Sequence, residues 1–184
     1  MEMRTVINKE FKDLPEGFIV SVLSSTEQYS TLNIEILDYL INDRKMNGIY
    51  FTVNKPYETL VTILKKNEID IKKLYFIDAI SGAVGKKKSD AENCVIVQNP
   101  SALTDLSICI TEACTSKNPG FLILDSLSTM LVYNNEDTTV RFIHYLITEL
   151  RKCKVSGIIL SLEKDMEKKM LDSIAQFCDK IIKV

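Results

Sequence analysis

The stretch FLILD, at residues 121–125, decides the fold of this chain. Four consecutive apolar side chains, directly after a Pro-Gly pair, are typical of a strand buried on both faces in the middle of a parallel sheet. The run closes on Asp125. The sequence therefore predicts a carboxylate at the carboxyl end of a central strand.

Six other short apolar runs predict further strands. They lie at residues 17–24, 48–53, 74–78, 94–97, 157–162 and 180–184. Helical patterns separate them, as where Leu32, Ile36 and Leu40 recur at helical spacing. Pro56 suits the first turn of one helix, and Ser101 is a candidate N-cap for another. Further helical patterns run through residues 103–113, 140–150 and 166–177.

Strands that alternate with helices predict a three-layer, doubly wound α/β fold with a mostly parallel sheet. The chain has 184 residues, of which 46% are hydrophobic and 26% charged. That length suits one sizeable core and is short for two typical domains. We therefore expect residues 1–184 to form a single domain.

Charge and composition argue against nucleic acids and membranes as binding partners. The net charge is −2 and the isoelectric point is near 5.6. Trp is absent and aromatic residues make up 8%, so nucleic-acid binding is not expected. No apolar run approaches the roughly 18 residues of a membrane span. Residues 1–13 lack the apolar core of a signal peptide, and we expect a cytoplasmic protein with no membrane contact.

The metal-binding residue types are sparse. Five scattered cysteines form no CxxC pair, and the chain has one histidine. This pattern predicts cysteines that serve as small buried apolar side chains and no metal site.

Several stretches, taken together, resemble the RecA superfamily and most closely its KaiC-like branch. They are LPEGFIVSVLSS (14–25), GIYFTVNKPYETL (48–60), PSALTDLSICITEA (100–113), NPGFLILDSLSTML (118–131) and DKIIKV (179–184). The resemblance covers nearly the whole chain in the family's order. It implies a RecA-like P-loop NTPase fold.

The resemblance places a Walker A loop, GxxxxGK[ST], on the eight residues from Ser24 to Thr31. Ser24 and Tyr29 occupy the glycine positions, Ser30 occupies the lysine position, and only Thr31 matches. Tyr29 puts a side chain where the backbone must approach phosphate, and Ser30 supplies no positive charge. Glu27 adds a negative charge that would repel a triphosphate. The sequence therefore predicts a degenerate phosphate-binding loop.

Two further positions bear on catalysis. Relatives carry acidic residues at the end of the second strand to activate water, whereas this chain has Val53 and Asn54. We expect no catalytic residue. Asp125 matches the Walker B aspartate, and with Thr31 it would form a vestigial nucleotide site. The alternatives are that Asp125 caps the following turn, and that Thr31 merely starts a helix.

The stretch GAVGKKKS, at residues 82–89, resembles a displaced P-loop only superficially. Its glycines are three apart rather than five, so a solvated loop is expected. The alternative is a contact for an acidic partner.

The resulting hypothesis is a non-catalytic KaiC-like module, a pseudo-ATPase that acts as a protein-interaction or regulatory scaffold in signalling. It needs no cofactor, and its partner is another protein or a second copy. One alternative is an ATPase or sensor that binds Mg-ATP through an altered loop; another is a DNA-associated accessory protein. We expect Tyr29 to be partly exposed in a contact along residues 24–31. The competing expectation is that Tyr29 folds inward and fills the phosphate cavity.

Overall fold

A seven-stranded sheet organises the protein. The computed structural model describes residues 3–184, so residues 1 and 2 of the predicted domain lie outside the described residues. The strands are β1 (Ile19–Ser24), β2 (Gly48–Thr52), β3 (Leu74–Asp78), β4 (Cys94–Ile96), β5 (Phe121–Asp125), β6 (Ser156–Leu162) and β7 (Lys180–Lys183). Their order is β4-β3-β2-β5-β6-β1-β7, and every neighbouring pair is parallel.

Helices follow most strands. They are α1 (Met3–Phe11), α2 (Tyr29–Asp38), α3 (Tyr57–Lys66), α4 (Leu103–Ser116), α5 (Leu127–Tyr133), α6 (Glu136–Cys153) and α7 (Lys168–Ala175). A π-helical turn, Tyr39–Asp43, extends α2. No helix of residues 3–184 has the length and apolar character needed to cross a membrane.

The core lies on both faces of the sheet because successive strand residues point to opposite sides. On β2, Tyr50 packs into one apolar cluster with buried residues of α1, α2 and α3. Its neighbours Ile49 and Phe51 pack into a second cluster with residues of α4, α5, α6 and α7. This three-layer arrangement confirms the predicted α/β fold class.

All seven strands were predicted, with ends that differ by at most two residues. Helices α1 and α5 were not predicted. The proposed cap was wrong, because Ala102 precedes α4 while the Ser101 hydroxyl donates to the Tyr133 carbonyl at 2.9 Å. All five cysteines are free; Cys94 and Cys114 are buried, and the others are half-buried.

Candidate functional site

The carboxyl edge of the sheet carries a row of buried polar side chains. Thr52, at the end of β2, pairs with Asp78 of β3 on one side and with Asp125 of β5 on the other. All three are fully buried. In open α/β sheets this edge is where ligands bind.

The loop after β1 is closed by its own hydrogen bonds. The Tyr29 amide donates to the Ser25 carbonyl at 3.2 Å, and the Gln28 amide donates to the Ser25 hydroxyl at 3.3 Å. These bonds form a helical turn that leads directly into α2. A phosphate-binding loop instead directs backbone N–H groups at the ligand. Two of those donors are therefore already used within the protein.

Glu27 lies at the tip of this turn and is exposed. The pKa of its carboxyl is lowered, chiefly by a hydrogen bond from its own backbone amide and then by the Ser25 hydroxyl. Glu27 is thus negatively charged at neutral pH, beside the place where a phosphate would enter.

Tyr29 turns inward from the start of α2. Its side chain is 8% exposed, and its hydroxyl donates to Oδ1 of Asp125 at 2.5 Å. The expectation that Tyr29 is partly exposed was therefore wrong, and the ring folds inward instead. The physical reason is that the ring joins the apolar cluster while its hydroxyl meets a buried acceptor. A contact along residues 24–31 stays a prediction.

Asp125 is held at both oxygens by side chains from distant elements. Oδ2 accepts from the Tyr50 hydroxyl at 2.6 Å and from Nδ2 of Asn33 at 3.2 Å. Asn33 also donates to the Tyr50 hydroxyl at 2.6 Å, and Asn54 lies at 3.5 Å from Oδ1. Within residues 3–184, no cationic side chain forms an ion pair with Asp125. Hydrogen bonds alone compensate the buried charge.

The two tyrosines are fixed as donors. Burial raises the pKa of both the Tyr29 and Tyr50 hydroxyls well above the ordinary tyrosine value, and the negative charge of Asp125 raises them further. Both hydroxyls therefore keep their protons at neutral pH. Tyr29, Tyr50, Asn33 and Asp125 form the cluster that we call the Asp125 network.

A cavity of about 90 Å³ adjoins this network. Tyr29, Asn33, Tyr50 and Lys55 line one side of it, and apolar residues of α2 and α3 line the other. Oδ1 of Asn33 is buried with no protein partner. The cavity has room for about three waters at about 30 Å³ each, whereas ligand pockets usually measure about 300 Å³ or more.

A family model described as "ATPase: KaiC" matches residues 32–184. The chain belongs to this KaiC family. The matched range begins at Leu32, immediately after the eight residues that the resemblance assigns to a Walker A loop. No curated protein sequence matches the chain significantly.

Solved structures share the fold of this KaiC-family chain. A KaiC-like protein from the hyperthermophilic archaeon Pyrococcus horikoshii superimposes with a TM-score of 0.67 at 16% identity, over 92% of this chain and 72% of that one. The flagellar accessory protein FlaH of Methanocaldococcus jannaschii gives 0.64 at 15% identity, over 96% and 75%. Identities this low establish the fold alone.

Thr31 and Asp125, the two residues predicted for the nucleotide site of this KaiC-family chain, do not form one hydrogen-bonded site. Thr31 is exposed in the first turn of α2, and no hydrogen bond among the described residues links it to Asp125. Asp125 does not cap the turn that follows it. Ser126 caps α5 instead, since its hydroxyl accepts from the Thr129 amide at 3.3 Å. Among residues 3–184 there is no cluster of three or more acidic, His or Cys side chains that could hold a metal.

Asn33 and Tyr50 were not predicted from the sequence. Each stands as a polar side chain inside an apolar pattern, Asn33 beside Leu32 on α2 and Tyr50 within the β2 run GIYFT. A polar residue at a buried position needs a hydrogen-bond partner, so this pattern was the available signal.

The glycine-lysine stretch forms no phosphate loop. Gly82–Val84 is a short 3-10 turn, and Lys86 makes an ion pair with Glu58 of α3. Lys87 and Lys88 are exposed, in agreement with the expected solvated loop.

Proposed function

We propose that this KaiC-family domain is a non-catalytic module, closed to nucleotide, that works through protein contacts as a regulatory scaffold. The observation that carries the proposal is the 2.5 Å hydrogen bond between the Tyr29 hydroxyl and Asp125. It joins the position of the second Walker A glycine to the Walker B aspartate, across the space that the phosphates and their magnesium ion would need.

Three further features support a closed site. Ser30 stands where the phosphate-binding lysine would be, and Ser25 occupies backbone donors of the loop. The cavity lined by Tyr29, Asn33 and Tyr50 measures about 90 Å³. Asn54 and Val53 supply no carboxylate to activate water, since their side chains are an amide and an isopropyl group.

A second candidate is a nucleotide-binding protein whose loop opens. It is favoured by the fact that Asp125 is present, buried and held only by side chains. Rotation of Tyr29 would free one carboxylate oxygen without unfolding a strand or helix. This candidate requires that the binding free energy of magnesium and the triphosphate exceed the free-energy cost of exposing the Tyr29 ring.

Thermal melting in millimolar Mg-ATP separates the two candidates. A ligand present at 100 times its dissociation constant adds about 2.7 kcal/mol of stability, or roughly 5–10 °C in a chain of this size. We expect no magnesium-dependent shift in the wild type. A shift of several degrees that disappears in Asp125→Asn would contradict the proposal and establish the second candidate. Mg-ADP and magnesium alone serve as controls.

A further inference from the structure

Two neighbouring cavities lie along the amino edge of the sheet, opposite the Asp125 network. One cavity of about 320 Å³ lies at the amino ends of β2 and β3, where Gly48 and Leu74 line it. A second, of about 400 Å³, lies at the amino ends of β1 and β6, where Phe18 and Ser156 line it. Pro119 borders both cavities. We call the two together the amino-edge groove.

Cationic side chains dominate the lining of this groove. The five are Arg44, Lys72, Lys73, Lys117 and Lys154. Two carboxylates, Glu16 and Glu92, lie among them. The whole chain carries a net charge of −2, so this excess of positive charge is local. Within residues 3–184, none of the five cations forms an ion pair.

Two of the cationic groups are positioned by aromatic rings. The Lys117 ammonium lies 4.9 Å from the centre of the Tyr75 ring. The Arg44 guanidinium lies 5.9 Å from the Tyr39 ring and donates to the Tyr39 hydroxyl at 3.2 Å. Such contacts restrict the side chains while leaving their charge available, which lowers the entropy lost when an anion binds.

The groove has the length of a short extended peptide. Its lining touches the amino ends of six adjacent strands, from β4 to β1 in the sheet order. Neighbouring strands lie about 4.8 Å apart, so five spacings span about 24 Å. An extended peptide advances about 3.4 Å per residue and would cross the groove in about seven residues.

We propose that the amino-edge groove binds an acidic, extended peptide segment of a partner protein. Carboxylates spaced every few residues along the peptide would meet the cationic side chains in turn. These are Lys154, Arg44, Lys117, and Lys72 with Lys73 before β3. A nucleic acid fits less well, because a longer polyanion would extend beyond the groove and the chain as a whole carries a net charge of −2. The Tyr75 face is also occupied by Lys117 and offers no platform for a base.

Fluorescence anisotropy with a labelled octaglutamate peptide tests this proposal. We expect saturable binding at low salt that weakens as salt rises. The double variant Lys72→Glu, Lys117→Glu should bind about tenfold more weakly, since it removes two charge contacts and adds repulsion. The matched control is Lys88→Glu, Lys168→Glu, which makes the same change of charge at exposed positions outside the groove and should bind as the wild type does.

Three outcomes would overturn the proposal: no binding of the peptide to the wild type, equal losses in both double variants, or tighter binding of a single-stranded oligonucleotide of equal charge. If the glutamate variant melts early, Lys72→Gln, Lys117→Gln removes the same charges without repulsion and must still weaken binding. The proposal does not rest on a closed nucleotide site. A positive Mg-ATP result at Asp125 would leave it intact.

Discussion

Asp78 and Asp125 occupy equivalent places and are held in opposite ways. Both are fully buried, both end a strand, and Thr52 lies between them in register. Asp78 accepts from the backbone amides of Tyr57, Ile80 and Ser81 at 2.7–2.9 Å, and from the Ser81 hydroxyl at 2.6 Å. Among residues 3–184, the donors to the Asp125 carboxylate are all side chains, and they come from other parts of the chain.

The difference separates a carboxylate that fixes the local backbone from one that links side chains of distant elements. Asp78 fixes the turn after β3 and satisfies the amide at the start of α3, so the backbone path depends on it. Asp125 fixes no local turn, and Ser126 caps the helix that follows. All donors to its carboxylate among the described residues are side chains, so loss of this carboxylate leaves no backbone amide unpaired.

The largest loss of stability should come from substitution of Asp78. We expect Asp78→Ala to lower the free energy of unfolding by about 4 kcal/mol, because it removes the charged acceptor of three backbone amides and one hydroxyl, of which the Ser81 amide and hydroxyl are buried. Asp125→Ala should cost less, about 2 kcal/mol, because it strands the buried Tyr29 hydroxyl but leaves Asn33 bonded to the Tyr50 hydroxyl and removes a buried charge that has no cation partner. Urea denaturation of both variants measures the difference. Equal losses would mean that the two aspartates play the same structural role.

Sequence patterns could predict the sheet but not the Asp125 network. The strands were recognisable because burial on both faces makes each of them a short apolar run. Helix α1 was missed because only Ile7 and Phe11 of its nine residues are buried, and α5 because seven residues are too few for a clear period. Counting from Gly17 assigns the Walker A position to residues 24–31, and that assignment stays a prediction.

The direction of Tyr29 could not be predicted. An inward and an outward ring fit the same local sequence, and both were considered. What decides between them is a set of partners far along the chain, since Asp125 is 96 residues from Tyr29 and 75 from Tyr50. No local propensity reports such contacts.

The next largest effect should come from Tyr29. We expect Tyr29→Ala to cost about 3 kcal/mol because it empties a buried aromatic site, and Tyr29→Phe about 1 kcal/mol because it removes only the hydroxyl bond. The exposed neighbour Ser30→Ala is the control and should stay within about 0.5 kcal/mol. Light scattering should give the same mass for the wild type and Tyr29→Ala. A loss of association in Tyr29→Ala at unchanged stability would restore the interface interpretation.

The smallest effect is a difference in alkaline stability between the wild type and Tyr29→Phe. A tyrosine whose pKa is raised in the folded state contributes stability that is fully present below the unfolded value of about 10. That contribution is lost as the pH rises further, because only the unfolded chain releases the proton. The free energy of unfolding then falls by about 1.4 kcal/mol per pH unit for each such tyrosine.

Ionisation of buried and half-buried thiols also lowers the free energy of unfolding at alkaline pH. This contribution is the same in the wild type and in Tyr29→Phe. Burial raises the pKa of Cys94 to about 11 and that of Cys114 and Cys178 to about 12, so they weaken the fold from about pH 8.5 upward. These thiols are present in both proteins and cancel. Above pH 10 the wild type should therefore lose stability more steeply than Tyr29→Phe in urea melts. Parallel curves would show that Tyr29 ionises freely and that its hydroxyl is not held against Asp125.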